Sequence, residues 1–171
     1  AVSARGRLKG IVRKTPEVMV KVSGGGKGMR AIKAHMDYIS RNGDVALENE
    51  GGLIFDGKEA VRDLRDIWKF GQYGIPEESQ RKEAFNIVLS MPPGTDRKSV
   101  TDAAREFAKS EFGGNFHYVF ATHDDEKHPH VHLCVNAQGI DGTRLNPRKT
   151  DLQRWREGFA EALREHGIEA N

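Results

Sequence analysis

The chain has 171 residues, of which 37% are hydrophobic and 30% are charged, and its formal net charge is +2 at pH 7. That length is enough for one domain with a genuine core, and the sequence contains no apolar run long enough to cross a bilayer, which argues against membrane insertion. The basic start has no apolar segment of the kind a signal peptide needs, and the single cysteine excludes an internal disulfide. We therefore expect a cytoplasmic protein.

Periodicity predicts the elements of the first third of the chain. Valines alternate over residues 17–22 and predict a strand. A glycine-rich segment, residues 23–28, is expected to be a flexible loop that allows a phosphate to approach, although it lacks the spacing and the Lys-Ser/Thr ending of a P-loop. Residues 29–41 are predicted to form an amphipathic helix. Residues 44–57 are expected to be irregular, apart from a short strand at 52–55.

The remaining elements follow from the same patterns. Apolar residues at helical or alternating spacing predict helices over residues 58–69, 99–112 and 150–166, and strands over residues 84–91, 116–123 and 130–136. Thr150 or Asp151 would cap the last helix. Because helices alternate with short strands and the last two strands are joined by a turn, we predict the α+β class, with a central antiparallel sheet flanked by helices.

Histidines are concentrated on the two strands around that turn. Side chains alternate across a strand, so His130 and His132 share one face. His123 ends the preceding strand, and a hairpin would place it beside His130. Three imidazoles meeting at one end of a sheet suit a divalent ion with open coordination positions. His128 precedes a proline in the turn, so we interpret it as a residue that contacts phosphate rather than as a metal ligand.

Other polar residues on this hairpin are weaker candidates for a role in the site. Asp124 or Asp125 could orient one histidine by accepting the N–H that does not face the metal. Ordinary turn chemistry explains both aspartates equally well. Cys134 shares the histidine face, but we expect it to be buried in the sheet rather than to bind zinc.

The chemistry of such a site depends on whether the protein supplies a nucleophile or the ion activates water. Of the three tyrosines, Tyr118 faces away from His123, and Tyr73 lies in a turn with no evident partner. Tyr38 lies near the end of the first helix, where Arg41 supplies a cation that would favour a phenolate. From spacing alone, an ordinary tyrosine of an amphipathic helix is the better interpretation of Tyr38.

Three blocks of sequence and their order change that interpretation. They are Tyr-Ile-Ser-Arg-Asn-Gly at 38–43, Leu-Ser-Met-Pro-Pro-Gly-Thr-Asp at 89–96 with the helix that follows it, and the histidine block at 123–136. Together they resemble the conjugative relaxases of the VirD-type, or MobP, branch of the HUH endonucleases. The tyrosine precedes the histidines, as in relaxases, whereas it usually follows them in related replication initiators. Members of the family usually run much longer than this chain.

The resemblance implies a bacterial enzyme that nicks and rejoins one DNA strand at an origin of transfer during conjugative mobilisation. Tyr38 would attack the scissile phosphodiester and form a 5′-phosphotyrosine, releasing a 3′-hydroxyl. His123, His130 and His132 would hold Mg²⁺ or Mn²⁺, with Zn²⁺ as a further candidate. We assign Asp125 to the catalytic group together with Tyr38 and His123. Implied partners are single-stranded DNA, accessory relaxosome proteins and the coupling protein of a type IV secretion system.

Positive charge is clustered in ways that suit a DNA partner. Basic residues are concentrated in an N-terminal segment, residues 1–15. A solvated tail explains this concentration as well as DNA binding does. We place the relaxase domain at residues 16–171. Two further groups, before and after the histidines, would straddle a DNA strand. With Ser90, which the resemblance places near the nick, the candidate DNA contacts are Lys27, Arg30, Arg41, Ser90, His128, Arg144, Arg148 and Lys149.

Three other functions stay open at this point. A metal-dependent phosphodiesterase that uses water would leave Tyr38 merely structural and would form no covalent adduct with DNA. A rolling-circle replication initiator would share the strand-transfer chemistry but act at a different origin. An origin-binding module without catalysis would bind DNA tightly and cleave nothing when Mg²⁺ or Mn²⁺ is present.

Overall fold

The two histidine strands lie inside a six-stranded antiparallel sheet in this computed structural model, which describes residues 15–71 and 74–171. The strands are β1 (Met19–Gly26), β2 (Leu47–Asn49), β3 (Ile54–Phe55), β4 (Ala84–Ser90), β5 (Tyr118–His123) and β6 (His130–Asn136). The helices are α1 (Met29–Ile39), α2 (Lys58–Phe70), α3 (Arg97–Glu111) and α4 (Lys149–Glu165). The spatial order is β1-β4-β6-β5-β2-β3, which confirms the predicted α+β class. Tyr73 and the basic segment up to residue 14 lie outside the described residues.

Helices cover both faces of the sheet, and alternation along β6 shows which side chains meet which layer. Val131, Leu133 and Val135 join the core under α3 and α4, whereas Cys134 joins the core under α1 and α2. The predicted alternation of this strand is therefore confirmed. Since His130 and His132 have the parity of Cys134, they face the layer that contains α1.

Glycines extend β1 where the sequence analysis predicted a flexible loop. The strand continues to Gly26, which pairs with Ala84 of β4, after a register shift between Val22 and Gly24. A Cβ on Gly26 would lie 2.7 Å from a side-chain carbon of Ile32, so the missing side chain lets α1 pack close to the strand. The loop prediction was wrong because backbone hydrogen bonds to a neighbouring strand need no side chain.

Smaller differences concern short strands and helix ends. β2 lies in the segment expected to be irregular, where pairing with β5 stabilises three residues that have no periodicity of their own. The last helix begins at Lys149, and Asp151 accepts the Arg148 N–H at 2.8 Å, so this aspartate caps the helix from within its first turn. In the described residues, no helix combines the length and apolar character needed to span a membrane.

The helix that carries Tyr38 ends at Ile39, two residues earlier than predicted. Arg41 and Asn42 adopt left-handed backbone conformations, with φ of 49° and 57°, and Gly43 follows with φ of 95°. A Cβ on Gly43 would lie 2.6 Å from the backbone nitrogen of Lys58, so only glycine fits between this turn and the start of α2. The turn therefore ends the helix one residue after Tyr38.

Candidate metal and nucleophile site

Three imidazoles converge at one end of the hairpin formed by β5 and β6. His123 and His130 are direct cross-strand partners, and His132 is the next residue of β6 on the same face. Candidate ligand nitrogens, one from each ring, all lie within 4.8 Å of one another. We call His123, His130 and His132 the histidine trio. The hairpin predicted from strand alternation brings these residues together as expected.

Backbone carbonyls determine which nitrogen of two of these rings bears hydrogen. His123 Nε2 donates to the Ile39 carbonyl at 2.8 Å, and His130 Nδ1 donates to the His128 carbonyl at 2.8 Å. A carbonyl can only accept, so the other nitrogen of each neutral ring has a lone pair. His123 Nδ1 is buried and has no hydrogen-bond partner in the described part of the chain. A divalent ion would satisfy that lone pair, so the donor set fits the metal site that the sequence predicts.

Burial also keeps His132 in the form that binds metal. Partial burial, together with the neighbouring His123 and His130, lowers the pKa of His132 to about 4. The ring is therefore uncharged at neutral pH. A neutral imidazole can donate a lone pair to a cation, whereas an imidazolium cannot.

This shift predicts how the stability of the metal-free protein depends on pH. An unfolded histidine takes up a proton near pH 6.5, whereas folded His132 stays neutral down to about pH 4, so stability falls as the pH falls from 6.5 towards 4. Between pH 7 and pH 5 we expect the free energy of unfolding to fall by about 1 kcal/mol more in wild type than in His132→Gln, which has no imidazole at this position to protonate. This figure allows for the partial exposure of His132. Urea unfolding in chelator at pH 7 and pH 5 measures this difference. An equal loss in both proteins would contradict it.

Tyr38 lies in the last turn of α1 and faces the histidine trio. Met36 and Ile39 are buried in the core, which leaves Tyr38 on the outer side of the helix with 63% of its surface exposed. Its ring is edge-on to that of His132, with centroids 5.9 Å apart. Because the carbonyl of Ile39 accepts the hydrogen bond from His123, the residue after the tyrosine is bonded directly to the trio. The phenol is thus accessible to an incoming substrate beside the candidate metal ligands.

An ion pair forms a second link between the tyrosine helix and the histidine hairpin. Arg41 donates to both carboxylate oxygens of Asp125, at 2.6 and 2.9 Å, and these hydrogen bonds hold the pKa of Asp125 below its usual value. The sequence suggested that Asp124 or Asp125 would accept an N–H from a histidine. In the structure Asp125 binds Arg41 instead, because backbone carbonyls already accept the hydrogens of His123 and His130.

Three of the predicted DNA contacts lie near the trio. Ser90 is the cross-strand partner of His130 and is almost buried, and His128 is exposed in the turn before β6. Arg41 lies beside this turn through its ion pair with Asp125. A role in DNA binding stays a prediction for each of these residues.

The other predicted contacts lie towards the opposite end of the sheet. Lys27 follows Gly26, which pairs with Ala84 at the far end of β4, and Arg144 donates to the Glu83 carboxylate at 2.8 Å. The seven residues of β4 span about 20 Å between this end and Ser90. The residues towards this far end are Lys27, Arg30, Arg144, Arg148 and Lys149. Except for Arg41, the residues of both basic groups therefore lie towards the far end of the sheet rather than around the tyrosine.

Three residues near the trio were not identified from the sequence. His35 lies one turn before Tyr38 with ring centroids 6.0 Å apart, its Nε2 is buried without a hydrogen-bond partner in the described residues, and burial lowers its pKa. Its spacing of three residues from Tyr38 was the available signal. Arg97 donates to the backbone carbonyl of Glu126, whose carboxylate lies 3.8 Å from His130 Nε2. No local pattern connects Arg97 to this turn.

Comparison with known proteins gives one family match and several relatives. Residues 38–168 match the family described as "Relaxase: MobA/VirD2-like, nuclease domain". The T-DNA border endonuclease VirD2 of Rhizobium radiobacter is 30% identical, in an alignment that covers 89% of this chain and 40% of the relative. The protein of the same name from Agrobacterium fabrum (strain C58 / ATCC 33970) is 28% identical, with 89% and 38% covered. This chain thus spans about 40% of the length of the curated relatives it matches.

One solved structure has a similar fold. It is described as "Molecular Basis of Vancomycin Resistance Transfer in Staphylococcus aureus" and superposes with a TM-score of 0.50, covering 92% of this chain and 98% of that chain. The sequence identity is 14%, so the likeness concerns the fold. It agrees with the antiparallel sheet flanked by helices that is described above.

Proposed function

Because the chain belongs to the relaxase family and matches its MobA/VirD2-like nuclease domain over residues 38–168, we propose that it nicks and rejoins one DNA strand at an origin of transfer. The main support is the position of the exposed Tyr38, whose ring lies 5.9 Å from that of His132. The name of the curated relatives, T-DNA border endonuclease, supports cleavage of DNA at a defined site. A hydrolase that activates water would not need a tyrosine in this place.

The histidine trio would hold a divalent ion. His123 would bind through Nδ1 and His130 through Nε2, because their other nitrogens donate to backbone carbonyls. We propose Mg²⁺ or Mn²⁺, with Zn²⁺ as a further candidate. When bound, the ion would polarise the non-bridging oxygens of the scissile phosphate.

Tyr38 is the proposed nucleophile. Its phenol gives up a proton and the oxygen attacks phosphorus, forming a bond to the 5′ phosphate while the bond to the 3′ oxygen breaks. The 3′ oxygen leaves with a proton as a hydroxyl. One phosphodiester replaces another, so attack by that hydroxyl on the phosphotyrosine rejoins the strand. Arg41 follows Tyr38 by three residues, and Asp125 holds its guanidinium in place through two hydrogen bonds.

Single-stranded DNA is the proposed partner of this surface. Ser90 and His128 would contact phosphates near the nick, because both lie beside His130. The basic residues towards the far end of the sheet would contact the same strand farther from the nick. We also propose accessory relaxosome proteins and the coupling protein of a type IV secretion system as partners, in line with family membership.

The polarity of the covalent product tests this proposal. A single-stranded oligonucleotide that spans the candidate origin is labelled at one end or the other and incubated with Mn²⁺. We expect a band stable to SDS that retains the 3′ label, together with a shorter free fragment that retains the 5′ label. Two free fragments would indicate a hydrolase, and binding without cleavage would indicate an origin-binding module; either result contradicts the proposal. Chelator should abolish the adduct.

A further inference from the structure

We propose that the carboxylate of Glu126 is a fourth protein ligand of the divalent ion. The histidine trio supplies three nitrogen donors, and Glu126 would add one oxygen donor from the turn before β6. This inference rests on the part of the proposed function that places an ion at the trio. It does not depend on the identity of the nucleophile or of the DNA sequence.

The distance between the two donor atoms suits a shared ion. Glu126 Oε2 lies 3.8 Å from His130 Nε2, and Nε2 is the nitrogen left for the ion, since Nδ1 donates to the His128 carbonyl. Around an octahedral ion with bonds of about 2.1 Å, neighbouring ligand atoms lie about 3 Å apart and opposite ones about 4.2 Å apart. The observed separation falls between these values, so a small movement of the side chain brings both atoms to one ion.

The backbone of this turn is held while the carboxylate can still rotate. Arg97 donates to the carbonyl of Glu126, and the preceding residue, Asp125, is bound by Arg41. The Glu126 side chain itself is 55% exposed, so a change of rotamer disturbs no core packing. Arg97 and Arg41 therefore hold the backbone around Glu126 while its carboxylate can rotate towards the trio.

A carboxylate would change which ions the site prefers. Imidazole donors alone favour Zn²⁺ and other late transition metals, whereas carboxylate oxygens favour Mn²⁺ and Mg²⁺. Three nitrogens and one oxygen would also leave two positions of an octahedron for phosphate oxygens. The competing explanation is that Glu126 only pairs with a protonated His130, or acts on the ion through its charge alone. A pure charge effect would be the same for any divalent ion.

Ion selectivity separates these explanations without any measurement of activity. Calorimetric titration of the DNA-free protein with Mn²⁺ and with Zn²⁺ compares wild type with Glu126→Gln, and with His130→Ala as a variant of the trio. In Glu126→Gln we expect the Kd for Mn²⁺ to rise about 10-fold or more and that for Zn²⁺ to rise about 3-fold at most. Asp124→Asn is the matched control, because it removes one negative charge from the same exposed turn, and we expect both Kd values to stay within about 2-fold of wild type.

Each other outcome overturns the inference in a recognisable way. If Glu126→Gln weakens the binding of Mn²⁺ and Zn²⁺ equally, Glu126 acts only through its charge. If both affinities stay unchanged, Glu126 is not part of the metal site. In either case, loss of Mn²⁺ binding in His130→Ala would leave the metal part of the proposed function standing. If wild type itself binds no Mn²⁺, both the inference and that part of the proposed function are wrong.

Discussion

Replacing Tyr38 by phenylalanine is expected to abolish the covalent protein–DNA adduct and to lower the nicking rate by about 10³-fold or more, because the attacking oxygen is removed. DNA affinity should change by no more than about 2-fold, since one hydroxyl of an exposed ring is lost. Folding should be unaffected for the same reason, as 63% of the tyrosine surface is exposed. Gel analysis under denaturing conditions measures the adduct, and fluorescence anisotropy in chelator measures DNA binding.

Tyr118 offers a matched control for this substitution. It lies on the face of β5 opposite the trio, is 2% exposed, and burial raises its pKa to about 12, so it is a poor candidate for a phenolate nucleophile. Tyr118→Phe removes the same hydroxyl from the protein and should form the adduct at close to the wild-type rate. Nicking by Tyr38→Phe without an adduct would favour an enzyme that uses water, and an adduct formed by Tyr38→Phe would mean that another residue is the nucleophile. Either result would leave Tyr38 with a structural role.

Replacing His130 by alanine is expected to abolish nicking while much of the DNA binding remains. The substitution removes one of three candidate ligands and leaves two imidazoles, which hold a divalent ion weakly. We expect the rate of cleavage to fall by about 10³-fold or more in Mn²⁺ and the affinity for DNA, measured in chelator, to stay within about 3-fold. Calorimetry with Mn²⁺ should show the loss of metal binding directly.

His117 provides the control at the other end of the same hairpin. It precedes β5 at the end away from His123, and its Nδ1 lies 2.6 Å from the Glu50 carboxylate. His117→Ala removes an imidazole without touching the trio, so we expect it to bind Mn²⁺ and to nick DNA like wild type. If His130→Ala cleaves at the wild-type rate, the histidine trio is not the metal site of this reaction.

Local pattern was enough to predict most of the sheet and the centre of the site. Alternation on β5 and β6 separated the histidine face from the face that joins the core, and the short turn between them predicted the hairpin. The same pattern placed Tyr118 away from His123, as the structure confirms. These predictions succeeded because a strand has a period of two residues and a short hairpin determines which residues become neighbours.

Elements without a period of their own were not predicted. β2 has three residues and depends on its pairing with β5, and the glycines that extend β1 depend on their pairing with β4. In both cases the stabilising hydrogen bonds come from a strand that is distant in sequence. A propensity pattern cannot contain this information, because the partner strand supplies half of every bond.

The amino-acid sequence by itself therefore determined the α+β class, the strands that carry the histidines and the face on which they lie. Only the tertiary structure decided how the tyrosine helix joins them. His123 donates to Ile39, and Arg41 binds Asp125, and each contact joins residues 84 positions apart. Arg97 reaches Glu126 across 29 positions. These contacts exist because α1 and α3 pack on opposite faces of one sheet, with the C-terminal end of α1 and the N-terminal end of α3 near the same hairpin. No local period encodes that packing.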